Sequence, residues 1–189
     1  MKDKKVLIIG LGNSGKAAAE AMVGLGASVY VQDSKSEDKI DPQLMTFLKE
    51  NAVEYFLGRT PDDMGVFDML IVSPGVPLDL GFIKEAKDAG TEIIGELEVA
   101  YRTGKGKYVA ITGTNGKTTT TTLVGEIYKA SGRTTHVVGN IGVAVISKAL
   151  TTSDEDWLVT ECSSFQLESI KDFKPEVSAI LNLTPDHLD

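Results

Sequence analysis

The chain of 189 residues has one cysteine, two histidines and one tryptophan, and no apolar run near the ~20 residues needed to span a bilayer. A single thiol, Cys162, excludes an internal disulfide and suits a reducing compartment. No signal peptide follows Met1-Lys2-Asp3-Lys4-Lys5, so the expected location is the cytoplasm, with no membrane partner. Positive charge is also scarce. Nineteen Lys and Arg against 27 Asp and Glu leave a net charge of −8, and no lysines line up in a stripe. That excludes a nucleic-acid surface held by a general basic field. An acidic protein that binds polyanionic phosphates must use local devices: loop amides, a lysine, metal ions. Repeats and low-complexity tracts are absent too, apart from five consecutive threonines at 118–122. What is present is ordinary: 42% apolar and 24% charged, enough for one large domain or two small ones with real cores.

Short apolar runs alternate with helix-compatible segments along the whole chain. Strands are expected at Val6–Ile9, Ser28–Gln32, Val53–Phe56, Phe67–Val72 and Glu92–Ile94, with helices at 16–25, 42–51, 82–89 and 96–101. Thr103-Gly104-Lys105-Gly106-Lys107 is small and charged with no apolar anchor, and reads as a linker. Beyond it the pattern restarts, with strands at 108–111, 135–138, 157–160 and 177–181 and helices at 117–131 and 143–150. The fold class is α/β: two mostly parallel, doubly wound units, 1–104 and 105–189.

Residues 109–120 carry the most chemistry. A β-branched run leads into Gly113-Thr114-Asn115-Gly116-Lys117-Thr118-Thr119 and then a helix, the layout of a phosphate-binding P-loop. Glycines let backbone N–H groups turn inward, the helix adds its positive end, Lys117 adds a charge, and Thr118 offers a hydroxyl where P-loops bind Mg²⁺. The usual first glycine, five residues before Gly116, is Ile111 here, so the loop is a variant that uses Gly113. Gly10-x-Gly12-x-x-Gly15 follows a strand, opens a helix and has Asp33 18 residues after Gly15, the context of a dinucleotide fingerprint. It does not identify its ligand. Ser73-Pro74-Gly75 and Gly139-Asn140-Ile141-Gly142 each end a strand, and each fits a plain turn as well as a site. Glu161 ends another strand, where a Mg²⁺-organising acid of a P-loop sheet sits. His187, beside Asp186 and Asp189, is a candidate ligand at the same edge; His136 lacks such company. Cys162 reads as a small buried residue.

Together, Ile111–Thr119, Gly139–Gly142, Glu161–Glu168 and Asn182–Asp189 resemble the Mur ligase family of ATP-dependent, amide-forming enzymes of peptidoglycan precursor synthesis. The P-loop alone would also admit folylpolyglutamate and cyanophycin synthetases. With Gly10–Gly15, Ser73–Gly75 and Ser163–Glu168, the chain most resembles the members that add D-glutamate to UDP-N-acetylmuramoyl-L-alanine. The resemblance implies a Rossmann-like first domain binding the uridine nucleotide, followed by the first part of a P-loop ATPase domain. In it Gly12 would contact substrate, Asn13 and Ser14 would face the diphosphate, Asp33 the uracil, and Ser73 the far side of the substrate. Asn140 would hold the muramoyl-alanine portion, and Gln166 would also contact substrate. Gly113 to Thr119 would bind ATP. Thr118 and Glu161 would hold one Mg²⁺, Glu161 and His187 a second, with Lys117, Glu161 and His187 catalytic. The implied reaction passes through an acyl phosphate attacked by D-glutamate. Family members continue past this length, so the expectation is a monomer when complete, and a chain that alone binds the uridine substrate weakly and forms no amide bond. Two rivals compete: a nicotinamide-dependent oxidoreductase built on the first glycine turn, which leaves the P-loop unexplained, and a non-catalytic nucleotide-binding module.

Overall fold

Val6-Leu7-Ile8-Ile9 is at most 1% exposed and forms the centre of the first of two parallel sheets in the computed structural model, which describes residues 1–185. The chain divides into two compact units, Met1–Glu96 and Leu97–Asp189. In the first, β1 (Lys5–Ile9), β2 (Ser28–Asp33), β3 (Glu54–Leu57), β4 (Met69–Val72) and β5 (Glu92–Gly95) pair in the order β3-β2-β1-β4-β5. Helices α1 (Asn13–Gly24), α2 (Pro42–Glu50) and α3 (Gly81–Asp88) connect them. Alternation dictates one layer directly: Leu7, Ile9, Leu70 and Val72 meet Ile83 and Ala86 of α3. The strand order reverses beside β1, where open α/β sheets bind ligands at the strands' carboxyl ends. The glycine turn follows β1 at that point.

Helix α4 (Glu96–Thr103) leads into the second unit, whose strands β6 (Lys107–Thr112), β7 (Thr135–Gly139), β8 (Trp157–Glu161) and β9 (Val177–Ile180) pair, all parallel, as β7-β8-β6-β9. Helices α5 (Lys117–Ala130), α6 (Val145–Ala149) and α7 (Ser164–Glu168) complete it. Here the P-loop follows β6, flanked by β8 and β9.

The expected division at 104/105 differs from the observed one at 96/97, and the reason is the anchoring of α4. Glu98 is fully buried and its carboxylate accepts the N–H groups of Lys171, Asp172 and Phe173 at 2.8, 2.9 and 3.0 Å. Arg102 bridges Glu98 and Asp172. Tyr101, Tyr108 and Phe173 pack edge to face around them. Nor are residues 103–107 a free linker: Lys105 N–H donates to Ala149 O at 3.0 Å, and Thr152 Oγ1 donates to Lys105 O at 2.6 Å. Helix α7 is too short to show in apolar periodicity; its capping box pairs Ser163 with Gln166.

Candidate phosphate-binding sites

In the first unit, the turn after β1 is braced from both neighbouring strands. Gly10 N–H donates to Gln32 O and Ser73 Oγ donates to Gly10 O, each at 2.8 Å. A Cβ on Gly15 would overlap the Gly10 carbonyl oxygen, so only glycine lets α1 start this close to β1. Gly12 differs: a Cβ there would meet nothing within 4 Å. The protein's own packing does not require glycine at Gly12, whereas close approach of a pyrophosphate would. Asn13 and Ser14 open α1, and among the described residues their N–H groups donate to no protein acceptor.

Asp33, expected at a uracil, is 7% exposed and holds the turn itself. Its Oδ2 accepts Leu11 N–H at 2.7 Å and its Oδ1 accepts Lys35 N–H at 2.9 Å. Ser73 likewise spends its hydroxyl hydrogen on Gly10. These two residues shape the cradle, and sequence spacing could not reveal their partners.

In the second unit the P-loop is explicit. Gly116 is left-handed (φ +84°) and caps α5. The N–H groups of Gly116, Lys117, Thr118 and Thr119 donate to no protein acceptor among the described residues; the ladder resumes with Thr120 N–H to Gly116 O. Lys117 Nζ donates to Gly113 O at 2.7 Å and Thr114 O at 2.9 Å, folding its charge over the loop. Ile111 explains the missing first glycine: it is 1% exposed and still part of β6, where its carbonyl accepts Cys162 N–H. The loop therefore begins at Gly113, as the sequence spacing expects.

At the end of β8, Glu161 is 1% exposed. Thr118 Oγ1 donates to its Oε2 at 2.9 Å and Asn140 Nδ2 to its Oε1 at 3.0 Å. Asn140 N–H also donates to Glu161 O at 2.9 Å. Three expected site residues thus meet at the P-loop. A hydroxyl and a carboxylate within hydrogen-bond distance are hard oxygen donors of the kind Mg²⁺ takes. Gln166 stands apart: it is 4% exposed and its Oε1 accepts Ser163 N–H, so its amide closes a helix start. Cys162 is buried, as expected. His187, with Asp186, lies outside the described residues. His136 Nε2 sits 3.4 Å from Asp156 Oδ2. The Ser153 hydroxyl, its backbone N–H and His136 together outweigh the opposing desolvation and hold the Asp156 carboxyl below its ordinary range.

Two protein-family descriptions match almost end to end: the MurD-like N-terminal domain of Mur ligases over residues 4–95, and the Mur ligase middle domain over 111–189. The chain belongs to the Mur ligase family. Over 192 residues it is 55% identical to a UDP-N-acetylmuramoylalanine–D-glutamate ligase of Alkaliphilus oremlandii, and over 190 residues 52% identical to one of Clostridioides difficile. Each match covers all of this chain and 42% of the relative, so the chain spans less than half the length of these curated relatives. Solved structures show the same fold. The ligase MPL of Neisseria meningitides superposes with a TM-score of 0.58 at 17% identity, covering 99% of this chain and 63% of that one. MurC of Thermotoga maritima gives 0.51 at 23%, covering 98% and 43%. Mur ligases are ATP-dependent amide-forming ligases. No helix among the described residues is long and apolar enough to cross a membrane.

Proposed function

We propose that this chain holds the uridine-nucleotide and triphosphate portions of the ligase that joins D-glutamate to UDP-N-acetylmuramoyl-L-alanine, acting in the cytoplasm and as a monomer when complete. The observation that carries this reading is the Thr118–Glu161–Asn140 set beside four helix amides without protein acceptors, in a chain 55% identical to a protein named for that ligation.

ATP with Mg²⁺, when bound, supplies the phosphoryl group that activates a carboxylate and the charge that offsets crowded oxyanions. The chain's own residues do the rest. The N–H groups of Gly116 to Thr119 take phosphate oxygens, and Lys117 sets an ammonium against them. Thr118 and Glu161 would hold one Mg²⁺, and Glu161 with His187 a second. Asn140, its NH₂ committed to Glu161, fixes the carboxylate plane and leaves its carbonyl for the muramoyl-alanine portion. At α1, Asn13 and Ser14 receive the diphosphate on a cradle braced by Asp33 and Ser73, while Gly12 lets it approach. The D-glutamate site belongs mostly to the remaining length of the protein.

Calorimetric titration tests the substrate assignment. UDP-N-acetylmuramoyl-L-alanine is expected to bind more tightly than UDP-N-acetylmuramic acid, and NADH not at all. Binding of NADH alone would transfer the first cradle to a nicotinamide cofactor and overturn the reading.

A further inference from the structure

After β9 the chain keeps running beside the P-loop, and side chains take over the pairing where the backbone ladder stops. The β6–β9 ladder places Thr112 opposite Ile180, and Leu181 N–H donates to Thr112 O at 3.0 Å. Thr114 N–H then reaches Asn182 O at 3.2 Å. At the next step Asn182 stands in for a strand: its Oδ1 accepts Asn115 N–H and its Nδ2 donates to Asn115 O, both at 2.9 Å. Thr114 answers with its own hydroxyl, which donates to Thr184 O and accepts Thr184 N–H, both at 3.0 Å. Two residues of the loop are thereby fixed immediately before the left-handed Gly116 and the open amides that follow it. Gly113 admits this approach: a Cβ there would lie 3.1 Å from both Asn182 N and Asn182 O.

We infer that Asn182 is a positioning residue for nucleotide phosphates: its amide, paired with both backbone groups of Asn115, sets the direction in which the Gly116–Thr119 N–H groups point. This rests on the reading of that loop as the ATP site. Asn182 touches no reacting atom. A primary amide is required, because one group must donate and the other accept at the N–H and C=O of the same residue. Asn182→Asp keeps the acceptor and loses the donor, and Asn182→Ala loses both.

The test combines amide hydrogen exchange with calorimetric titration of MgATP and of UDP-N-acetylmuramoyl-L-alanine into the 189-residue chain. Asn182→Ala is expected to weaken MgATP about 10-fold, the equivalent of one to two neutral hydrogen bonds. Asn182→Asp, whose carboxylate sets a second oxygen against the Asn115 carbonyl and a negative charge beside the loop, is expected to weaken MgATP at least as much. Exchange should rise at Asn115, whose N–H loses its acceptor, and at the adjoining Thr114, and stay unchanged in β6, β8 and the second half of α5, and the uridine ligand should bind as before. Leu183→Ala, at a side chain 83% exposed between the two contacts, is expected to match wild type. MgATP affinity unchanged in Asn182→Ala would overturn the inference. So would a loss shared equally by both ligands with exchange raised throughout the second unit, which marks general destabilisation. Failure of wild type to bind MgATP would instead overturn the reading of the loop as an ATP site, and the inference with it.

Discussion

Single side chains in this protein hold the two glycine loops proposed as ligand sites. Asp33 and Ser73 tie the first glycine turn to the strands beside it, and Asn182 ties the P-loop to the segment after β9. Gly113 shows how little freedom remains. Its φ of +141° lies where side chains are strained, and a Cβ would press on the Asn182 backbone. Gly113→Ala is expected to destabilise the second unit by about 1–3 kcal/mol, read as a lower urea midpoint with an unchanged slope. The P-loop was legible because its glycines, lysine and threonine sit within a few residues of each other and act through local geometry. Glu161 was legible because it ends a strand at the loop's own edge. The bracing roles were not, since Asp33 acts 22 residues away on Leu11 and Asn182 acts 67 away on Asn115. Gln166 shows the converse: Ser163-x-x-Gln166 is a capping box that the sequence itself spells out, and the structure forms it.

Among the elements, α4 is the informative one. Strand and helix positions followed from apolar periodicity, usually to within two residues, but the domain division did not. Residues 103–107 look like a linker by composition, and the contacts that fix them come from Ala149 and Thr152. Glu98 anchors α4 in the second unit. Burial pushes its carboxyl up, but the N–H groups of Lys171, Asp172 and Phe173 and the Arg102 guanidinium outweigh that and hold it below the ordinary glutamate range. A carboxyl lowered by folding contributes stability that is complete above its unfolded value, near 4.3, and is lost as pH falls through the folded value. Glu98→Gln turns an NH₂ toward backbone donors and is expected to cost about 2 kcal/mol at neutral pH. The gap to wild type should narrow as acid protonates Glu98. Urea midpoints across pH, followed by the fluorescence of Trp157, the chain's one tryptophan and part of β8, would measure it. A gap constant down to pH 3 would contradict the clasp.

At the scale of the whole molecule, two parallel sheets each present one glycine loop, the proposed anion cradle, at the carboxyl end of an inner strand, β1 in one and β6 in the other. With a net charge of −8 and no general positive field, the proposed phosphate binding would rest on these local devices. The proposed function therefore requires two independent phosphate sites with different ligands. Parallel calorimetric titrations of MgATP and UDP-N-acetylmuramoyl-L-alanine into wild type, Lys117→Ala and Gly15→Ala test this most directly. Lys117→Ala is predicted to lose MgATP and keep the uridine ligand, and Gly15→Ala to do the reverse. Loss of both ligands in Lys117→Ala with the fold intact, or competition between the two ligands in wild type, would contradict it.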